Sequence, residues 1–86
     1  SKKISFRRVI GVPTGGLRFA KALDKYSTYD ALNPLLIVDD VLTTGRSMEV
    51  TKSLQSCTNI RGLVIFSRCQ PEKIPSWIDV LFRMEQ

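Results

Sequence analysis

The sequence predicts a compact α/β fold with a mostly parallel sheet, and three observations support this. Short apolar runs occur at 9–12, 35–38 and 63–66, without the polar residue at every second position that an exposed strand face would show. Segments with apolar residues at three- and four-residue spacing lie between the runs. Turn residues separate the two kinds of segment. Strands that alternate with helices in this way form parallel sheets.

The 86 residues have the size of one domain, 1–86, and 43% apolar with 24% charged residues is typical of a globular protein. No apolar run approaches the roughly 18 residues of a membrane span, and no apolar signal region follows the basic amino end. We therefore expect a cytoplasmic protein without a membrane partner. Cys57 and Cys69 lack metal-ligand spacing and the chain has no His. We expect both thiols to be reduced and structural.

The net charge of +5 is concentrated at the amino end, where residues 1–25 carry seven basic side chains and one acidic side chain. Clustered Lys and Arg attract nucleic acid. However, no interleaved aromatic platform and no recognition-helix motif accompanies them. We favour a polyanionic small substrate, drawn to a positive rim, and expect no nucleic-acid partner.

The first strand is predicted at Val9–Val12, and the turn after it contains Thr14, Gly15 and Gly16. A helix follows, with its apolar residues on one stripe at Leu17, Ala20, Leu23 and Tyr26, and Phe19 beside Leu23. A Gly-rich turn at a helix start is a candidate anion site, because backbone N–H groups and the helix dipole favour negative charge there. Such turns also occur for geometry alone.

The most informative stretch is 35–47. Its apolar run ends in Asp39 and Asp40, which are costly in a core, so we expect the strand to deliver both to the carboxyl edge of the sheet, where α/β sheets bind ligands. A phosphate-binding loop is predicted next, ahead of a helix that begins near Met48, at Thr43, Thr44, Gly45, Arg46 and Ser47. An anion loop beside carboxylates that bind hydroxyls or a divalent cation suits a sugar phosphate.

This thirteen-residue stretch resembles the phosphoribosyl pyrophosphate motif of type I phosphoribosyltransferases. The resemblance implies a three-layer, Rossmann-like phosphoribosyltransferase core. It also implies that Asp39 and Asp40 hold the ribose hydroxyls, directly or through Mg²⁺ and water, while the loop 43–47 wraps the 5′-phosphate. The segment 11–17 resembles the pyrophosphate-binding segment of the same family, which assigns Thr14, Gly15 and Gly16 to the pyrophosphate.

The third strand ends at Ser67-Arg68, where orotate phosphoribosyltransferases, the closest members in motif, have Asp-Arg. Arg68 matches the Arg that holds orotate, although an Arg at a strand end is more often a solvated charge, and Ser67 does not match the Asp. Thr43 stands where purine-specific members have an Asp, so orotate is the favoured acceptor. We assign no catalytic side chain, because the transfer depends on positioning and charge stabilisation.

The connection Ser27–Pro34 departs from the family, in which active members place an extra strand and a long mobile loop here. Eight residues are too few for that loop, and the family's hood is also missing. The expectation is therefore an enzyme that binds phosphoribosyl pyrophosphate and a nitrogen base, or a nucleoside monophosphate. The alternative is a non-catalytic nucleotide-binding module or a truncated homologue. An apolar run before Asp-Asp also resembles a response-regulator receiver, but no Lys follows Asp79 at the required place.

The rest of the chain completes the layers. The second helix has Glu49 in its first turn and is expected to bury Val50, Leu54 and Cys57. A turn is predicted at 58–62, and Trp77 is expected to cover one end of the core. Residues 78–84 alternate between apolar and polar and predict a half-exposed edge strand. Because an edge strand can pair with a strand of another chain, this prediction is compatible with a homodimer.

Overall fold

The computed structural model describes residues 5–13 and 15–83, and it is an α/β structure with one parallel sheet. The four strands have the order β1-β2-β3-β4, at Val9–Gly11, Leu35–Leu42, Ile60–Ser67 and Ile78–Arg83. The helices are α1 at Gly15–Leu23 and α2 at Arg46–Ser53, and 3-10 turns lie at Asp24–Tyr26 and Pro71–Lys73. The predicted parallel sheet is confirmed, as is the position of β4 at its edge. Met84, predicted to end that strand, lies outside the described residues.

The core has two parts, one on each face of β2, because successive side chains of a strand point to opposite faces. On one face, Leu36 and Val38 pack with Phe19, Ala20 and Leu23 of α1. On the other face, Leu35 and Ile37 pack with Met48 of α2. The two helices therefore cover opposite faces of the sheet.

The predicted apolar faces of both helices are partly wrong. Leu17 and Tyr26 are more than half exposed, so the buried stripe of α1 is formed by the other apolar residues with Gly16. In α2 the buried residue is Met48, which is 1% exposed, whereas Leu54 is 76% exposed. In helices of only eight or nine residues, the spacing of apolar residues in the sequence does not define which side of the helix packs on the sheet.

Two predicted boundaries also change. The turn expected at 58–62 is wrong, since β3 already begins at Ile60, whose side chain is buried. Phe66, expected to be buried in the same strand, is 42% exposed.

Trp77 packs against the core as expected, and its Nε1 donates a hydrogen bond to Glu49 Oε1 at 2.8 Å. Both cysteines are free and pack at the margin of the core.

The connections between strands do not all have the same hand. Each step from β1 to β4 moves in the same direction across a parallel sheet, so connections on opposite faces have opposite hands. Residues before β4, Ile74 and Trp77, pack on the α2 face, so two connections lie there and only α1 lies on the other. Crossovers between parallel strands are right-handed in nearly all proteins. The β1–α1–β2 connection therefore has the opposite hand to the other two connections.

Helices in the described part of the chain are at most nine residues long, and none could cross a membrane.

Candidate functional site

Asp39 and Asp40 lie beyond the end of β1, whose last residue, Gly11, is in register with Val38. The sequence predicted that the two acids end the strand, and this is wrong. β2 continues to Leu42 and pairs with β3 along its length. Both side chains are half-buried. The acidic pair therefore faces the space that β1 leaves free, between the start of α1 and the start of α2.

Asp40 borders a pocket of about 500 Å³ that is lined also by Gly15, Arg18 and Phe19 of α1. One oxygen of Asp40 accepts a hydrogen bond from the N–H of Val41 at 2.8 Å. The pocket thus joins a carboxylate, an exposed guanidinium and the amino-terminal end of a nine-residue helix. The guanidinium and the helix end can bind the anionic part of a ligand, and the carboxylate can bind its hydroxyls or an accompanying cation.

The start of α1 is held against β2 by close backbone contact. The N–H of Val12 donates to the carbonyl of Val38 at 2.9 Å, and the N–H of Gly16 donates to the carbonyl of Val12 at 2.9 Å. A Cβ on Gly16 would overlap the carbonyl of Val38, so only glycine permits this approach. Gly15 and Gly16 therefore lie beside the acidic pair. Thr14, predicted with them, lies outside the described residues.

Asp39 borders a second and smaller space, of about 30 Å³, that the loop 43–47 encloses. Burial, the hydrogen bond with Asp40 and the negative charge of Asp40 raise the pKa of Asp39 to about 6. The N–H of Asp40, which donates to Asp39 Oδ1 at 2.8 Å, opposes this rise. A carboxylate with a raised pKa gains from a neighbouring cation, because the cation favours its charged form.

The loop 43–47 turns at Gly45, which has a left-handed backbone with φ of +80° and is the N-cap of α2. Thr44 Oγ1 accepts a hydrogen bond from the N–H of Arg46 at 3.3 Å. The side chains of Thr43, Thr44, Arg46 and Ser47 are exposed, and α2 begins at Arg46, two residues earlier than expected. The first N–H groups of a helix have no partner within it. The loop can thus offer hydroxyls and N–H groups to a phosphate outside the small cavity.

Arg68 follows β3 at the same edge of the sheet. Its N–H donates to the carbonyl of Leu42 at 2.8 Å, which places its backbone beside the first residue of the loop, Thr43. The side chain is exposed. Ser67 is buried, and its Oγ accepts the N–H of Cys69 at 3.1 Å. Ser67 therefore holds the turn after β3 and does not reach the solvent side of the site.

In the described ranges no group of three or more His, Cys, Asp or Glu side chains could hold a metal ion. The donor set is limited to Asp39 and Asp40, each of which already accepts one backbone hydrogen bond. Mg²⁺ is often bound by one or two carboxylates together with substrate phosphates and water. Asp39 and Asp40 border different pockets, so each could supply one carboxylate to an ion that arrives with a phosphorylated ligand.

Sequence reasoning missed two residues of the larger pocket, Arg18 and Phe19. Arg18 was counted only as part of the basic amino end. A signal was available, because Arg18 lies three residues after Gly15 and residues at that spacing share a helix face. Phe19 was assigned wholly to the core, although its ring both packs on β2 and lines the pocket.

A scan against models of known protein families and a search of curated proteins each found no match.

Proposed function

We propose that this chain binds phosphoribosyl pyrophosphate and acts as a cytoplasmic phosphoribosyltransferase-like protein with a Rossmann-like core. The transfer would join the phosphoribosyl group to a nitrogen base, with orotate as the favoured acceptor. The observation that carries the proposal is the position of Asp39 and Asp40. They lie between two helix starts, Gly15 of α1 and Gly45–Arg46 of α2.

This arrangement suits a ligand with two separate phosphate groups joined by a sugar. Each helix start favours an anion, and the carboxylates between them accept hydrogen bonds from hydroxyls. The 5′-phosphate would lie on the loop 43–47 and the pyrophosphate on the α1 side, near Gly15 and Arg18. A ligand with one phosphate uses only one of these places. Binding of both is what distinguishes phosphoribosyl pyrophosphate from ribose 5-phosphate.

In the reaction, the bond between the ribose carbon and the pyrophosphate oxygen breaks, and a bond from that carbon to a nitrogen of the base forms. The electron pair of the broken bond leaves with pyrophosphate, and the base loses its proton to solvent. The protein would orient the two partners and stabilise charge, which needs no nucleophilic side chain. Asp39 and Asp40 are the residues that would hold Mg²⁺ together with the ligand, and the ion would supply positive charge at the leaving group. Arg68, whose backbone lies beside Thr43, would meet the base.

The non-catalytic alternative is favoured by one specific observation, that the β1–α1–β2 connection has the opposite hand to the other two. If α1 led first to another strand on the outer side of β1, its crossover would have the same hand as they do. The connection here is short and goes directly to β2. This supports a trimmed homologue in which the segment that covers the site in active members is lacking.

Calorimetry with phosphoribosyl pyrophosphate, ribose 5-phosphate and inorganic phosphate tests the binding proposal. We expect phosphoribosyl pyrophosphate to bind best in the presence of Mg²⁺. Equal affinity for all three ligands would overturn the two-phosphate assignment.

A base-dependent assay of pyrophosphate release with orotate, uracil and purines then separates enzyme from binding module. We expect slow turnover, because water that remains around the leaving group weakens electrostatic contacts and competes as acceptor. Arg68→Ala should reduce turnover with orotate and leave affinity for the sugar phosphate unchanged. Arg61→Ala is the matched control, because Arg61 lies at the opposite end of β3, where it forms an ion pair with Asp79. Binding without any base-dependent release would identify the non-catalytic module.

A further inference from the structure

The outer side of α1 carries a line of basic side chains. Phe19, Ala20 and Leu23 pack against β2, so the opposite side of the helix faces solvent. Residues three and four positions apart share one face of a helix. The cations of the outer face follow this spacing into the 3-10 turn that continues α1, and all are exposed, at Arg18, Lys21 and Lys25.

These positive charges are not neutralised within the described chain. From Gly15 to Tyr26 there is one acid, Asp24, and its Oδ1 accepts a hydrogen bond from the hydroxyl of Ser27 at 3.5 Å. Within residues 5–13 and 15–83, no carboxylate lies within ion-pair distance of the three cations. Like charges at this spacing destabilise a helix. An anion bound along the line would remove that repulsion.

The shape of the line indicates what kind of anion fits it. At roughly 1.5 Å of rise per residue, the line runs about 10 Å along the helix, and it is one side chain wide. A linear polyanion has its charges spaced along a chain and can follow such a line. The charges of an acidic protein surface are spread over two dimensions, so most of them would find no partner here.

Two exposed tyrosines stand at the end of the line. Nζ of Lys25 lies 5.3 Å from the centre of the Tyr26 ring, which is 62% exposed. Tyr29 is 67% exposed and has a left-handed backbone with φ of +57°, which is unusual for a bulky residue. Its N–H donates to the carbonyl of Arg7 at 3.0 Å, which holds it in this conformation. The sequence disfavoured a nucleic-acid partner because no aromatic platform was interleaved with the basic residues, but the fold supplies one here.

We propose that the basic strip, defined as Arg18, Lys21, Lys25, Tyr26 and Tyr29, binds single-stranded nucleic acid. The cations contact successive phosphates, and bases stack on the tyrosine rings. Because every base has a π face, this recognition does not depend on the sequence of the strand. A duplex keeps its bases stacked on one another and cannot offer them to the tyrosines.

An anionic membrane fits the same surface less well. A helix that lies on a membrane buries its apolar side in the bilayer. The apolar side of α1 is already packed on β2, and the helix has nine residues. The basic strip therefore offers charge to a lipid surface but no apolar helix face to enter it.

The strip can be tested separately from the proposed function. In the described part of the chain, neither Lys21 nor Tyr26 lines the two spaces beside Asp39 and Asp40. Variants of these two residues should therefore leave the affinity for phosphoribosyl pyrophosphate unchanged. Arg18 belongs to both surfaces and is not used as a test.

Fluorescence anisotropy with a labelled oligouridylate, measured over a range of salt concentrations, tests the contribution of charge. Each cation on a phosphate of a single strand contributes about −0.7 to the slope of log affinity against log salt, so three cations give about −2. Lys21→Gln should weaken binding and bring the slope closer to zero by about 0.7. Lys73→Gln removes an exposed lysine from the turn before β4 and should change neither.

Tyr26→Ala separates stacking from charge. Loss of one stacked base should weaken the binding of oligouridylate at least about fivefold. The binding of inorganic polyphosphate, which has no bases, should stay the same. Tyr26→Phe keeps the ring and should bind as the wild-type chain does. Phe82→Ala removes an exposed ring from the opposite edge of the sheet and is the control.

Three results would overturn the proposal. The first is a wild-type chain that does not bind oligouridylate, or that binds its duplex with oligoadenylate equally well. The second is unchanged affinity for oligouridylate in folded Tyr26→Ala, because the surface would then recognise charge alone. The third is tighter binding to phosphatidylserine vesicles than to oligouridylate, which would assign the basic strip to a membrane.

Discussion

The carboxylate of Asp40 lies against Gly15 so closely that a Cβ on residue 15 would overlap it. Asp40 belongs to β2 and Gly15 is the first residue of α1. The carboxylate is thus placed at the positive end of the helix dipole, in the lining of the 500 Å³ pocket. A glycine at this position serves the site by leaving room for the acid.

Gly15→Ala should weaken the binding of phosphoribosyl pyrophosphate with little loss of stability, because an Asp side chain can rotate away from the added methyl group. The matched variant is Gly16→Ala, whose methyl would meet the backbone of Val38 and Asp39. Backbone moves less easily, so overpacking there should cost about 1–3 kcal/mol of unfolding free energy. Calorimetry and urea unfolding measure the two effects. Wild-type affinity in folded Gly15→Ala would contradict the role given to Asp40.

Gly45→Val should abolish binding at the loop 43–47 and leave the fold largely intact. The nearest atom to an added Cβ is Leu42 Cδ1 at 3.6 Å, so space is available and the penalty comes from the left-handed backbone. That strain is roughly 1–2 kcal/mol for an L-residue. Gly45→Asn is the control, because Asn tolerates this conformation better. If Gly45→Val binds phosphoribosyl pyrophosphate normally, the loop is not the phosphate site.

Asp39 should lower the stability of the free protein as the pH rises from about 4 to about 6. Its pKa is 3.8 when unfolded and about 6 when folded. As the pH rises between these values, the unfolded chain loses the proton before the folded chain does, and this deprotonation stabilises the unfolded state. Asp39→Asn should therefore melt at a higher temperature than wild type at pH 7. The two melting temperatures should converge near pH 4. A difference that does not change with pH would refute this explanation.

Asp40→Asn provides a second check on the same coupling. Removing the negative charge and the hydrogen-bonding carboxyl beside Asp39 should lower the pKa of Asp39 towards its usual value, although burial will still hold it up. An NMR titration of the Asp39 carboxyl carbon measures the shift directly. If the Asp39 titration is the same in both proteins, burial alone raises its pKa.

Sugar-phosphate binding should depend on Mg²⁺ through the acidic pair. EDTA should weaken the binding of phosphoribosyl pyrophosphate to the wild-type chain, because its phosphates then meet two carboxylates without a bridging cation. The double variant Asp39→Asn with Asp40→Asn should bind with little dependence on the metal. Unchanged wild-type affinity in EDTA would show that the carboxylates contact hydroxyls only.

The strands were predictable because their signal is strong. The runs at 35–38 and 63–66 are apolar on both faces, and a parallel sheet covered by helices needs such strands. The helix faces were less predictable. Val50 and Leu54 have helical spacing, yet Met48 is the residue that the sheet buries. Two apolar residues on a short helix define an apolar stripe. Which side of the helix packs on the sheet is decided by how the segments before and after the helix connect it to the strands.

By itself, the sequence determined the parallel sheet and the order of acid pair, loop and helix, because these follow from local runs of residue types. Only the tertiary structure decided that Asp39 and Asp40 border different pockets and that Arg18 joins Asp40. It also decided that α1 and α2 cover opposite faces of the sheet, which gives their connections opposite hands. These properties depend on which face of the sheet each element covers, and that choice is made by packing between segments far apart in the chain.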